Sequence, residues 1–212
     1  MAKQRHGILS EFTGKVGNVV GSTWKGMQVL RAAPSPKKNR FSKLQIEHQA
    51  KFMLLSRFLR PISELLDQTF KNTASEMSCF NKAFSINKGT VRGLYPSLKI
   101  DYPAVELSRG SLSNADDIQV SSFKSGSLQI TWTMDKGSRL RGLVSDLLFV
   151  AAYCEDLDRW FFKFNFTNRY ECRCNLDFSE FKGRQVHTYM GFISQNGKKT
   201  SDSLYLGRLS IS

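Results

Sequence analysis

The stretch Leu128-Gln129-Ile130-Thr131-Trp132-Thr133 alternates apolar and polar side chains, and this alternation decides the fold of the C-terminal half. A strand with one buried and one exposed face shows this period of two. Similar β-rich runs, separated by polar or glycine-bearing turns, cover about residues 117–123, 127–134, 146–154, 159–166, 169–176, 186–194 and 203–211. Because no helical segment interrupts them, the pattern predicts a seven-stranded β-sandwich.

Three aromatic residues give this half its resemblance to a known fold. Trp132 lies in the second predicted strand, Tyr153 late in the third, and Tyr189 in the sixth, after Leu176 and the turn that follows it. Over residues 116–212 the chain resembles a fibronectin type III or related immunoglobulin-like sandwich, which carries a tyrosine corner at the place of Tyr189. The resemblance implies an architecture and no ligand.

Upstream of the sandwich, the apolar residues recur with the period of a helix. Ser42 and Gln45 have the spacing of a capping box, which predicts a helix start. Apolar residues then recur at intervals of three and four to about residue 72, and Pro61 is expected to kink this helix or to start a second one. A further helix is predicted at about 74–88.

The N-terminal residues 14–31 combine β-forming residues with regularly spaced glycines. They predict two short strands, at about 16–23 and 27–32, joined around Trp24-Lys25-Gly26. A basic, proline-broken linker follows at 33–40. Neither a dinucleotide fingerprint nor a phosphate-loop motif occurs in this stretch, so it is not interpreted as a nucleotide loop.

These patterns predict an α+β protein, with an N-terminal β-ribbon and short helices followed by a seven-stranded immunoglobulin-like β-sandwich. The predicted divisions of the 212 residues are a ribbon and linker at 1–41, a helical region at 42–95, a connecting segment at 96–115 with a β-rich run at about 98–108, and a sandwich at 116–212. The length allows one large domain or two small ones, since domains usually span roughly 100–200 residues.

The whole chain also resembles an uncharacterised bacterial family of basic proteins about 200 residues long. The shared features are the glycine-rich stretch with Trp24-Lys25-Gly26, the helix around 45–70, and the closing Tyr189-Met190-Gly191-Phe192-Ile193-Ser194. The resemblance implies a common fold. The family brings no assigned activity and no catalytic residue to this chain.

The charge is concentrated at the front of the chain. Lys and Arg number 31 against 18 Asp and Glu, a net charge of +13, and the first 60 residues hold 12 of those bases with only two acids. A one-sided basic segment favours phosphate contacts, because neutralising phosphates releases counterions. The other interpretation is a solvated surface that maintains solubility.

The expected partner of this segment is nucleic acid, another polyanion or an acidic protein surface. The residues expected to bind it are Lys15, Lys25, Arg31, Lys37, Lys38, Arg40 and Lys43. Trp24 either stacks against a base or packs in the core, and packing is the favoured interpretation.

No local signature of catalysis or metal binding is found in the sequence. The three histidines, His6, His48 and His187, lie outside any such motif, so we expect neither an enzyme nor a cofactor. Cys172 and Cys174 are predicted to share a strand and point to one face as reduced thiols rather than metal ligands.

Two further segments carry predictions of their own. The acidic clusters Asp116-Asp117 and Glu155-Asp156-Leu157-Asp158 are interpreted as solvated turns. In the run 159–166, one face is assigned to the sandwich core, and Phe161 is expected to be either exposed or covered by the helical part.

The leading hypothesis is a non-enzymatic binding or assembly protein whose basic N-terminal segment contacts nucleic acid or another polyanion. The alternative is a self-assembling structural subunit, a homo-oligomer that adds its N-terminal ribbon to a neighbour's sheet without nucleic acid. No apolar run approaches the roughly 20 residues of a membrane-spanning helix, and no secretory signal is visible at the start. A cytoplasmic location without membrane contact is therefore expected, unless a non-classical route exports the protein.

Overall fold

The structure, a computed structural model, consists of two compact units, Met1–Ser42 and Lys43–Ser212. The residues that it describes are 3–4, 12–24, 26–35, 41–74, 77–123, 126–133 and 145–211.

The described strands of the first unit form one antiparallel sheet, called the ribbon below. Its strands are β1 (Lys3–Gln4), β2 (Phe12–Val16), β3 (Val19–Trp24) and β4 (Met27–Ala32), in that order across the sheet. β3 and β4 confirm the two predicted strands, whereas β2 forms a separate strand that the sequence pattern did not separate from β3. The reason is the tight turn after Val16, where Gly17 adopts a φ of +56° that glycine accepts without steric cost.

Among its described residues, the second unit begins with three helices. They are α1 (Lys43–Leu59), α2 (Ser63–Thr69) and α3 (Cys79–Asn87), and the 3₁₀ turn Arg60–Ile62 between the first two carries Pro61. The predicted break at Pro61 is therefore confirmed. α3 starts later than predicted because Ser78 caps it, accepting a hydrogen bond from the Asn81 amide at 3.2 Å.

Two short strands, β5 (Val91–Arg92) and β6 (Lys99–Ile100), then pair with each other. Of the β-rich run predicted at about 98–108, only β6 forms a strand. The 3₁₀ turn Tyr102–Ala104 follows it, with Pro103 at its start. Proline fixes φ and lacks an amide donor, so it favours this turn over continued strand pairing.

The remaining chain forms a two-sheet sandwich, as predicted. Its strands are β7 (Asp116–Phe123), β8 (Ser127–Thr133), β9 (Leu147–Cys154), β10 (Arg159–Asn168), β11 (Arg173–Asp177), β12 (Gln185–Ile193) and β13 (Leu204–Ser210). One sheet has the order β10-β9-β12-β13 and the other the order β11-β8-β7. Within the described residues, this order and the shared core between the sheets confirm the immunoglobulin-like architecture.

The central strands of the four-stranded sheet are buried on both faces. Leu148, Val150 and Ala152 of β9 pack in the sandwich core, while Phe149 and Ala151 pack against the helices. The helices therefore cover the outer face of this sheet, and the second unit has three layers. This is why the sequence of β9 is continuously apolar rather than alternating.

β10 uses the same two-sided burial, and the expectation that Phe161 is exposed or covered by the helical part is wrong. Trp160, Phe162 and Phe164 pack against the helical core, whereas Phe161 packs against the sandwich core. The pairing of β10 with β9 then shifts after Phe164, and Asn165 adopts a φ of +59°.

The predicted strand at 169–176 begins later in the structure. Arg169–Glu171 form a 3₁₀ turn, and Cys172 follows it with a φ of +53° before β11 starts. Cys172 therefore lies outside the strand that was predicted to hold both cysteines. In the described part of the chain, no helix is long and apolar enough to cross a membrane.

Candidate functional site

The pairing of the ribbon strands separates their side chains into two faces. Residues that are directly opposite in an antiparallel sheet point to the same side, and neighbours along a strand alternate. Val20 pairs with Lys15 on one side and with Arg31 on the other, so two cations flank one apolar residue. The cationic face consists of Thr13, Lys15, Val20, Ser22, Trp24, Met27, Val29 and Arg31.

The opposite side, the apolar face, carries no cation among the described residues. It consists of Phe12, Gly14, Val16, Val19, Gly21, Thr23, Gln28, Leu30 and Ala32. Val16 and Leu30 are each 58% exposed, and Val19 is 41% exposed. Exposed apolar side chains grouped in this way are typical of an interaction surface.

One contact stiffens this face. The ring of Phe12 lies over Gly21, where a Cβ would come within 2.7 Å of the ring. Gln28 donates a hydrogen bond from its side-chain amide to the Phe12 carbonyl at 2.6 Å. Gly21 is consequently required for the close approach of β2 and β3.

The ribbon has no core of its own. Within the described residues, none of its side chains belongs to either hydrophobic core, and every residue of β4 is exposed. β4 pairs only with β3 in the described part of the chain, so its other edge presents free backbone groups. A single-layer sheet with a bare edge is not a self-sufficient fold.

Three of the seven residues of the predicted polyanion site lie in the described part of the chain. Lys15 and Arg31 share the cationic face, and Lys43 lies in the second unit at the start of α1. The predictions for Lys25, Lys37, Lys38 and Arg40 lie outside the described residues.

Trp24 shares the cationic face, paired with Met27. It is 54% exposed, which contradicts the favoured interpretation that it fills the core. The apolar face was not predicted from the sequence. The available signal was the position of two valines around the Gly17 turn. A turn there pairs Val16 with Val19 on one face and Lys15 with Val20 on the other.

The acidic turn after β9 is paired rather than merely solvated. Asp158 forms an ion pair with Arg57 of α1 and accepts a hydrogen bond from the Tyr153 hydroxyl at 2.8 Å. Asp156 lies 3.8 Å from Arg184, and Glu155 lies 4.0 Å from Arg208. These acids therefore join α1, β13 and the loop before β12 to the turn.

A buried cluster of phenols and one imidazole lies between the helices and the four-stranded sheet. Burial raises the pKa of Tyr102 to about 12 and raises the pKa of Tyr153 and Tyr189 as well. These phenols stay protonated at neutral pH, and the hydroxyls of Tyr153 and Tyr189 act as donors. Tyr189 donates to the Tyr102 carbonyl at 2.9 Å. Its hydroxyl thus holds the connecting segment, a different use from the predicted tyrosine corner.

The four cysteines are free thiols. Cys174 is buried in the sandwich core, which raises the pKa of its thiol to about 12. Cys172 packs partly against the same core. Within the described residues, no group of three or more His, Cys, Asp or Glu side chains is arranged to hold a metal ion.

A family of known sequences matches most of the length of this chain. Residues 11–207 match a family described as "Family of unknown function (DUF6266)". No curated protein matches the chain.

Two solved structures are similar to part of the chain. A structure titled "Myokine structure" is 16% identical, with a TM-score of 0.37, over 48% of this chain and 98% of that one. A human fibronectin type III domain, from the collagen alpha-1(XX) chain, is 14% identical, with a TM-score of 0.36, over 47% of this chain and 85% of that one.

Proposed function

The chain belongs to the family of unknown function DUF6266, and we propose that it is a non-enzymatic assembly protein that associates through its ribbon. The single observation that carries this proposal is the exposed apolar face of a single-layer sheet whose edge strand β4 is bare. Burial of apolar area and new main-chain hydrogen bonds would both stabilise the associated state.

The sequence of β4 suits pairing with a second copy of itself. In a two-fold antiparallel pairing centred on Val29, Arg31 lies opposite Met27 and Gln28 lies opposite Leu30. Like charges directly opposite each other destabilise such a pair, and this register avoids them. The same two-fold places the apolar faces of both ribbons on one side of a continuous sheet.

The test is the molar mass of the full-length chain and of two ribbon variants, measured by light scattering across a concentration series. Leu30→Lys places a charge on the apolar face at the pairing edge, and Val29→Lys places like charges directly opposite each other at the two-fold, so we expect each to weaken association by at least roughly tenfold. The matched control is Leu94→Lys, which makes the same kind of change at a residue of the second unit that is 78% exposed.

A truncated chain that begins at Ser42 gives a second control, because both hydrophobic cores are formed by later residues. We expect it to be monomeric. A full-length chain that keeps the monomer mass of 24.1 kDa at every concentration contradicts the proposal. Assembly that both ribbon variants leave unchanged also contradicts it.

Polyanion binding by the cationic face is the second candidate function. The observation that favours it is the row Lys15, Val20 and Arg31, on the same face as the exposed ring of Trp24. Cations track a phosphate backbone, and an exposed aromatic ring stacks against bases. The two functions use opposite faces of the same sheet.

This candidate is tested by the anisotropy of labelled single-stranded and duplex DNA at low salt. The double variant Lys15→Ala and Arg31→Ala removes both cations of the row. Each lost phosphate contact should reduce the slope of log affinity against log salt concentration by about one. Lys198→Ala with Lys199→Ala, in the β12–β13 turn, removes the same charge elsewhere. Equal loss of affinity in both double variants would count against the cationic face.

A further inference from the structure

A groove opens in the helical layer of the second unit, between α1, the end of α3 and β5. Its volume is about 610 Å³, and small-ligand sites commonly span about 300–1,000 Å³. The buried side chains of Leu55 and Val91 line it together with the rings of Phe52 and Phe84. Gly89 also lines it, and nothing lies within 4 Å of the position that a Cβ would take there.

The rim of this groove is basic. His48, Lys51, Lys88 and Arg92 line it, whereas no carboxylate of the described residues does. A concave surface of one charge sign concentrates ligands of the opposite sign.

The acidic side chains near the rim engage only some of the N–H donors of its Lys and Arg side chains. Lys51 pairs with Glu47 at 2.6 Å, and Arg92 lies 3.5 Å from Asp101 through a single nitrogen. Arg92 is largely exposed and has further N–H donors available for a ligand. Lys88 has no ion pair among the described residues.

Phe52 gives the groove a second chemical character. Its ring contacts that of Phe84, with centroids 4.8 Å apart and planes inclined by 49°. Phe52 nevertheless remains 58% exposed beside these cations. A phosphate alone would leave that ring uncovered, whereas a base would stack on it.

We propose that this groove binds a nucleoside phosphate, with the base stacked on Phe52 and the phosphate held by Lys88 and Arg92. The proposal goes beyond ribbon association and does not depend on it. The same chemical unit occurs in a free nucleotide and in single-stranded nucleic acid, so the ligand has two sources. Both sources supply a base that stacks on Phe52 and a phosphate that pairs with Lys88 and Arg92.

The experiment measures the affinity of the full-length chain at low salt for four probes: adenosine monophosphate, adenosine, inorganic phosphate and a short single-stranded oligoadenylate. We expect the monophosphate to bind at least roughly tenfold more tightly than either adenosine or phosphate, because only it engages both parts of the groove. Equal affinity for the monophosphate and the oligoadenylate identifies a free nucleotide as the ligand. An oligoadenylate that binds tenfold more tightly identifies the single strand.

Variants separate the two contacts. Lys88→Ala and Arg92→Ala should each weaken binding of the monophosphate by roughly tenfold or more. Phe52→Leu, which keeps apolar bulk without a ring, should weaken it by roughly 5- to 100-fold, and Phe52→Trp should retain it. Lys71→Ala is the matched control, since it removes an exposed lysine that does not line the groove.

Three results would overturn the proposal. The first is no binding of the monophosphate or the oligoadenylate at low salt. The second is binding that Lys88→Ala and Phe52→Leu reduce no more than Lys71→Ala does. Oligoadenylate binding that is lost only when Lys15 and Arg31 are replaced belongs to the cationic face of the ribbon and also overturns the groove assignment.

Discussion

His187 shows how burial at one residue sets a response of the fold to pH. Its ring stacks on Tyr102 with centroids 3.9 Å apart, and its Nδ1 lies 2.8 Å from the Tyr205 hydroxyl. Its Nε2 is buried with no hydrogen-bond partner among the described residues. Burial first, and then Arg208, lower the pKa of this imidazole below its usual value near 6.5.

The sign of the effect follows from proton uptake. As the pH falls below about 6.5, the unfolded chain binds a proton at His187 before the folded chain does, so the free energy of unfolding decreases. The stabilisation is complete above the unfolded pKa and is lost as the pH falls through the lower folded pKa. We predict that His187→Gln has a smaller loss of stability between neutral pH and pH values near 5 than the parent chain, measured by urea denaturation at several pH values.

His48→Gln is the control for this prediction, because His48 is exposed on α1. Its stability should follow the same pH dependence as that of the parent chain. A His187→Gln variant with an unchanged pH dependence would show that other groups are responsible.

Arg169 is a second buried ionisable residue, and its buried charge requires an acidic partner. It is fully buried, lies 3.5 Å from the Asp146 carboxylate and donates a hydrogen bond to the Ser113 carbonyl at 2.6 Å. Its guanidinium also stacks over the ring of Phe192 at 3.9 Å. Burial raises the pKa of Asp146, and Arg169 opposes that rise.

We predict that Arg169→Leu lowers the free energy of unfolding by roughly 3–5 kcal/mol, because it leaves a buried carboxyl group without its cation. The double variant Arg169→Leu with Asp146→Asn should lose less than the sum of the single losses. Chemical denaturation of all three variants measures this coupling. Additive losses, within about 0.5 kcal/mol, would show that the two side chains do not stabilise each other.

At the scale of elements, the register shift in β10 directs two aromatic side chains to different cores. Strict alternation from Phe164 would place Phe166 on the helical side, yet Phe166 packs against the sandwich core. Asn165, with its φ of +59°, lies between them. Asparagine enters this left-handed region more readily than β-branched residues do.

We therefore predict that Asn165→Val lowers the free energy of unfolding by at least about 1–2 kcal/mol, while Asn165→Gly changes it little. The control is Asn175→Val, the same substitution at an exposed position of β11 with extended backbone. It also removes the exposed hydrogen bond that Gln129 donates to Asn175 at 2.9 Å, and it should still cost no more than about 0.5 kcal/mol. Thermal and urea unfolding measure both. Equal costs at the two positions would remove Asn165 as the cause of the register shift.

The sandwich strands could be predicted because polar and glycine-bearing turns separate them in the sequence. The helical cover on the four-stranded sheet could not be predicted in the same way, although the unbroken apolar run of β9 is a sign of burial on both faces. The late start of β11 depends on Cys172 adopting a left-handed backbone, which no local propensity indicates.

The candidate site was predicted only in part. The concentration of charge in the first 60 residues indicated the ribbon, since it depends on composition alone. Which of those cations share a face depends on strand register, and the sequence placed the Gly17 turn inside a strand. The basic groove escaped notice for a related reason: His48 and Lys51 belong to one helix, whereas Lys88 and Arg92 reach it from elements that only the tertiary fold brings near.

At the scale of the whole molecule, the two units differ in how completely they bury apolar surface. The described residues of the second unit form two hydrophobic cores, and the acidic side chains of the turn after β9 form ion pairs. The first unit is a ribbon with an exposed apolar face and a bare edge. The proposed assembly surface therefore lies in the unit whose described residues have no core of their own.

The most direct measurement is amide hydrogen exchange of β4 in the full-length chain as its concentration is raised. If β4 adds to a second copy, those amides of Met27–Ala32 that point away from β3 should become protected as the chain associates, while the edge strand β10 of the sandwich stays unchanged. Exchange in β4 that stays fast at every concentration, or protection that does not depend on concentration, would contradict the central claim.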